Sequence, residues 1–166
     1  MRIYVSGSLA YDRVMGFPGK FKDHILPEKI HILNVSFTVD SLTENFGGTA
    51  GNIAYSLALL GEHAVIIATA GASDFQRYQR WLERQGLSLE GVRVVEKEFT
   101  AGAYITTDLS DNQITGFNPG AMKVCADYVL APSQEPCLGI VAPGNPEDML
   151  AYSRQFKKLA FYTIFD

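Results

Sequence analysis

The sequence predicts an α/β fold: a mainly parallel sheet between helical layers, with a second, smaller β layer beside it. Three observations carry this. Residues 64–70 (Ala-Val-Ile-Ile-Ala-Thr-Ala) are apolar on both faces, as a parallel strand buried between helices must be. Strand-like segments alternate with segments of helical spacing along the chain. Two stretches, 30–40 and 103–117, have one wet face and one apolar face and so belong to a different layer.

Taken in order, residues 2–8 read as a first strand opening into a loop that carries Asp12. Leu33, Val35, Phe37 and Val39 alternate with Asn34, Ser36, Thr38 and Asp40, which predicts an amphipathic strand over 33–40. Phe46-Gly47-Gly48-Thr49-Ala50-Gly51-Asn52 is a glycine-rich turn feeding a helix. In that helix Ile53, Ala54, Leu57, Ala58 and Leu60 share a face, and Gly61 ends it. After the 64–70 strand comes a helix with Ser73 or Asp74 as its cap, a stripe of Phe75, Tyr78 and Leu82, and Gly86 at its end; Trp81 reads as core. A short strand is expected at 92–96. A hairpin of 103–107 and 113–117 follows, joined by the polar turn Asp108-Leu109-Ser110-Asp111-Asn112. Residues 138–142 form a buried strand. Asn145 then caps a helix with Pro146 at its first position, Glu147 and Asp148 at its positive dipole end, and Lys157 and Lys158 at the other. A final strand spans 160–165, with no helix after it to cover its face.

Composition limits the functional classes. With 47% hydrophobic and 19% charged residues, the chain is too apolar for a disordered tail and too evenly charged for a fibrous repeat. A 166-residue monomer buries roughly 70% of its unfolded surface, enough for one core, so length predicts one domain. A net charge of −4, with no cluster of five Lys or Arg, removes the footprint of nucleic-acid binding. The opening residues lack a signal-peptide pattern, and no apolar stretch is long enough for a bilayer; a soluble, cytoplasmic protein with no membrane partner is expected. Cys125 and Cys137 form neither a CxxC pair nor a disulfide framework and read as reduced structural thiols. His24, His31 and His63 are isolated and suggest no metal site.

Ligands of open α/β sheets bind beyond the carboxyl ends of the strands, which singles out Asp12 and the 47–52 loop. Adjacent glycines let a ligand approach the backbone, and free N–H groups at a helix start favour an oxygen-rich group. The loop is not a phosphate-binding P-loop, and it lacks the Gly-x-Gly-x-x-Gly spacing of a dinucleotide site, which argues against a nicotinamide cofactor. The Asp12 carboxylate accepts hydrogen bonds while the Asn52 amide both donates and accepts, a combination suited to vicinal hydroxyls. The same two residues also suit a turn and a helix cap, and Gly47-Gly48 also suits plain turn geometry; the residues alone leave both readings open.

The motifs in sequence resemble a known family. Ser6-Gly7-Ser8 through Asp12, then Phe46 to Asn52 at a helix start, then Thr100 to Asp108 with Asp111-Asn112-Gln113-Ile114-Thr115 and Pro119-Gly120-Ala121, look like the amino-terminal half of a PfkB-type, ribokinase-like carbohydrate kinase. The 111–115 stretch is most similar to adenosine and other nucleoside kinases. The resemblance implies a ribokinase-like, Rossmann-like αβα sandwich with a small β-sheet lid, truncated at residue 166. Residues 1–166 would be the amino-terminal part of one kinase domain, with lid segments at about 13–45 and 98–118 inserted in it. It further implies ATP-dependent phosphorylation of a primary hydroxyl on a nucleoside or sugar. Asp12 and Asn52 would bind ribose hydroxyls, Gly47 and Gly48 would let the sugar lie against the backbone, and Phe37 and Phe117 would be lid contacts to the base. A homodimer through the lid is an arrangement such a fold admits. The family's carboxyl-terminal Asp-Thr-x-Gly-Ala-Gly-Asp and Asn-x-x-Glu motifs do not occur in this sequence. No catalytic residue or metal ligand is therefore assigned, ATP and Mg2+ are expected to bind mainly outside these residues, and the encoded protein is expected to continue past Asp166. The alternatives are a non-catalytic nucleoside- or sugar-binding module and an inactive fragment.

Overall fold

The computed structural model describes residues 1–166, the side chain of Lys29 excepted. The chain divides into two compact units. The first comprises Met1–Tyr11, Phe46–Ala101 and Pro119–Asp166; the second comprises Asp12–Asn45 and Gly102–Asn118.

The first unit is built on a five-stranded parallel sheet. Its strands are β1 (Arg2–Ser6), β4 (Ala64–Gly71), β5 (Ser88–Val95), β8 (Cys137–Val141) and β9 (Tyr162–Phe165), in the order β5-β4-β1-β8-β9. Every residue of β4 is buried, as its unbroken apolar run requires. Alternate residues feed two cores. Ile3, Val5, Ile66 and Ala68 join Ala54, Tyr78 and Leu82 on one face, beneath α1 (Thr49–Leu59) and α2 (Phe75–Arg84). Tyr4, Val65, Ile67 and Val141 join Tyr152 and Phe156 of α3 (Pro146–Lys158) on the other. This is the αβα sandwich of the ribokinase-like fold. The α3 start matches its sequence: the Asn145 side chain accepts from the N–H groups of Glu147 and Asp148. At the sheet edge Tyr162, Ile164 and Phe165 of β9 are exposed. Among the described residues no helix is long and apolar enough to cross a membrane.

The remaining strands, β2 (Ala10–Gly16), β3 (Ser41–Gly47), β6 (Ala101–Thr107) and β7 (Gln113–Asn118), form a second sheet in the order β3-β2-β6-β7. The expected hairpin is present, with β6 and β7 antiparallel and Ala103 opposite Phe117. Inside the second unit the Asp108 carboxylate ties this hairpin to the segment before it. It accepts from the Phe21 N–H at 2.9 Å, the Ser110 N–H at 2.8 Å and the Asn112 N–H at 2.9 Å, and from the Asn112 side-chain amide. Burial alone would raise its pKa, but these donors outweigh that and hold it at about 2. Phe17, Phe21 and Phe37 pack beside it, with the rings of Phe17 and Phe37 4.6 Å apart.

Three expectations need correction. Residues 33–40 form no strand. Their burial does alternate, Val35, Phe37 and Val39 being half-buried between exposed neighbours, but no ladder partner runs beside them. The strand begins instead at Ser41, and Asp12 lies on β2 rather than in a loop; the two strands are joined by the Arg13–Glu44 ion pair at 2.9 Å. Asp74 stands at the N-cap of α2 without capping it, because its Oδ1 accepts from the Thr100 N–H at 2.8 Å. As read from the sequence, Trp81 packs against the apolar core, half-buried and in contact with Phe46 and Tyr55.

Candidate functional site

Within the first unit, Gly47, Gly48 and Asn52 come together where β3 passes into α1. Gly48 has φ +90°, a conformation that favours glycine, and a Cβ there would lie 2.5 Å from the Ser8 carbonyl oxygen and 2.7 Å from the Ala10 nitrogen. Two separate constraints thus demand glycine, and the turn lies against the loop that follows β1, at the carboxyl end of that strand. Ser8 locks it in place. The Thr49 N–H donates to the Ser8 Oγ at 3.0 Å, and the Ala50 and Gly51 N–H groups donate to the Ser8 carbonyl at 3.0 and 3.4 Å. The Asn52 N–H closes the first turn on the Gly48 carbonyl at 2.9 Å, and the exposed Asn52 side chain is directed away from the core.

This corrects the sequence reading of the helix start. Its amides are not free to hold an anion, because Ser8 already receives them; Ser8 sits in the quoted motif, but nothing in its spacing marks it as the cap of a helix some forty residues on. The other starts suit anions no better. Asp74 places a carboxylate at the head of α2, and α3 begins with an Asn145 cap followed by Glu147 and Asp148.

The other predicted residues belong to the second unit. Asp12 is half-exposed on β2. Phe37 is half-exposed and engaged with Phe17 and Phe21. Phe117 is 53% exposed on β7.

A cavity of about 490 Å³ lies on the opposite face of the first sheet, lined by Cys125, Asp127, Glu147, Asp148 and Tyr152 among others. Burial, then a hydrogen bond to Glu147 and the neighbouring carboxylates, push the Cys125 thiol up to about 11, which keeps it in the thiol form near neutral pH.

A ribokinase-like αβα sandwich with a glycine turn at the carboxyl end of its first strand defines a class of small-molecule kinases. The chain belongs to the pfkB family of carbohydrate kinases, whose family model matches residues 19–137. It is similar to a nucleoside kinase of Methanocaldococcus jannaschii, 31% identical over 122 residues that make up 72% of this chain and 40% of that protein. It is also similar to the solved structure of a Burkholderia thailandensis nucleoside kinase in complex with inosine, with a TM-score of 0.81 and 40% identity, covering 99% of this chain and 52% of that one. An ATP-dependent ribose-1-phosphate kinase of Halopiger xanaduensis is 39% identical over 72 residues, 43% of this chain and 24% of that protein. The chain thus spans about half or less of the length of these relatives.

Membership of a kinase family implies ATP. Among the described residues no group of three or more His, Cys, Asp or Glu could hold a metal ion, and the N–H groups at the start of α1 are already received by Ser8, so these residues offer no ready-made site for ATP and a metal ion.

Proposed function

We propose that this chain is the acceptor-binding part of an ATP-dependent kinase that phosphorylates a primary hydroxyl of an adenosine-like nucleoside or a related sugar. The observation that supports this most is its 40% identity, over 99% of its length, to a nucleoside kinase solved with inosine. In this reading Asp12 and Asn52 hold the ribose hydroxyls, Gly47 and Gly48 let the sugar approach the backbone, and the second unit serves as a lid with Phe37 and Phe117 toward the base. Phosphoryl transfer relies on positioning and charge stabilisation. These residues supply the positioning of the acceptor and exclude water from it. A second statement goes with this reading: the 166 residues bind the acceptor without turning over ATP, since they contain no Asp-Thr-x-Gly-Ala-Gly-Asp or Asn-x-x-Glu motif and, among the described residues, no group of three or more His, Cys, Asp or Glu that could hold a cation.

Calorimetric titration of the chain with inosine, adenosine, guanosine, cytidine, ribose, ribose 1-phosphate and a hexose tests both statements. Binding of at least one nucleoside in preference to free ribose is expected. Equal affinity for ribose removes the nucleoside preference, and binding of none removes the acceptor site. Measured ATP turnover by the 166-residue chain contradicts the second statement.

A further inference from the structure

The buried face of α2 carries Phe75, Tyr78 and Leu82. Tyr78 is the polar member of that stripe. It is 1% exposed, and a hydroxyl brought into an apolar cluster needs a partner. It donates to the Gly47 carbonyl oxygen at 2.8 Å. The hydroxyl is tightly seated: a Cβ at Gly51 would lie 2.1 Å from the Tyr78 Oη and 3.3 Å from its Cζ. Glycine is a poor helix former, yet it stands at the third residue of α1 because the tyrosine hydroxyl occupies the space of its side chain. The Phe46 ring stacks on Tyr78 at 4.5 Å with 15° between planes, and Tyr11 and Phe75 brace the ring at 5.7 and 6.4 Å.

This arrangement fixes a peptide plane. The Gly47–Gly48 bond is trans, so its N–H points opposite to its carbonyl. With the carbonyl held toward the core by Tyr78, the Gly48 N–H is turned away from it, whereas the N–H groups of Thr49, Ala50 and Gly51 are directed at Ser8. We infer that Tyr78 is a positioning residue: it sets the Gly47–Gly48 peptide so that the Gly48 N–H donates to an oxygen of the bound acceptor. The inference rests on the acceptor-binding reading proposed above.

The test uses the 166-residue chain, 15N-labelled and titrated with inosine well below its unfolding temperature. Tyr78→Phe removes the hydroxyl and keeps the ring. The expected result is a folded variant that binds inosine about tenfold more weakly, with a Gly48 amide resonance that no longer shifts on titration. Gly51→Ala gives an independent variant, since its new methyl displaces the same hydroxyl. The double variant Tyr78→Phe with Gly51→Ala is expected to bind no more weakly than Tyr78→Phe alone, because both changes break one contact. Wild-type affinity in folded Tyr78→Phe, or additive losses in the double variant, overturns the inference. A tyrosine that only stabilised the fold would lower the unfolding temperature and leave the affinity and the Gly48 shift unchanged. If the unaltered chain binds no nucleoside, the acceptor-binding reading fails and this inference fails with it, an outcome distinct from loss in the variants alone.

Discussion

In the first unit every residue of β4 is buried and the sheet has an apolar core on each face; in the second, all six residues of β7 and most of β3 are exposed. Order in the first unit therefore rests on area removed from water, spread over many side chains. Order in the second rests on few contacts, chiefly the Asp108 knot and the Phe17, Phe21 and Phe37 rings. Elements with little buried apolar area open at low free energy.

The largest expected effect is on the rigid side of that contrast. Gly48→Ala forces a methyl against the Ser8 and Ala10 backbone at a positive φ and should cost about 3 kcal/mol, lowering the unfolding temperature by roughly 10 °C in a thermal melt. A smaller shift would show that the turn relaxes and that the first unit is less rigid than its packing indicates.

Next comes the soft side. Asp108→Asn should leave the first unit folded while amides around residues 19–24 and 108–113 lose hydrogen-exchange protection. The pH dependence has a defined sign. The Asp108 pKa is lowered from the ordinary 3.8 to about 2, so its stabilisation is complete above about pH 4 and is lost as pH falls toward 2. NMR of the second unit over this window should show an acid transition that Asp108→Asn abolishes; an unchanged transition would place the acid-sensitive contact elsewhere.

Ligand effects follow. Asp12→Ala should weaken nucleoside binding by about 1–3 kcal/mol, roughly fivefold to 150-fold, with little change in the thermal melt of the free chain, because the half-exposed side chain buries little area. Unchanged affinity in calorimetry would remove Asp12 from the site. The smallest effect is expected for Phe117→Ala, a few-fold loss of nucleoside affinity with none for free ribose, since its ring is half-exposed and contributes area rather than hydrogen bonds. A loss equal for ribose and nucleoside would show that the ring does not meet the base.

The same division explains which parts were legible in the sequence. Burial on both faces leaves an unbroken apolar run, so β4, β8, the three helices and the parallel sheet follow from residue order. In the second unit the hairpin was legible through its polar turn, but β2 and β3 were not. Ala-Tyr-Asp-Arg-Val-Met-Gly and Ser-Leu-Thr-Glu-Asn-Phe-Gly become strands through cross-strand partners such as Arg13 and Glu44, which no local pattern announces. The 33–39 stretch shows the converse: period two reports a half-buried face and says nothing of a ladder partner. At the candidate site, Gly47, Gly48 and Asn52 were readable as a motif. Ser8 and Tyr78 were not, because a serine after a strand and a tyrosine in an apolar stripe have many ordinary roles; the glycine at position 51, inside a helix, was the available hint.

The position of β1 has a further consequence, for synthesis. β1, the earliest of these five strands in chain order, is the middle strand of the sheet, with β4 on one side and β8 on the other, and Arg2 stands opposite Cys137. At roughly 5–20 residues per second, its second neighbour emerges on the order of ten seconds after it. During that interval Ile3, Tyr4 and Val5 present an open apolar edge to solvent or to a chaperone. Slow codons or stalling between β4 and β8 should therefore lower the soluble yield of this chain more than the same delay placed after α3.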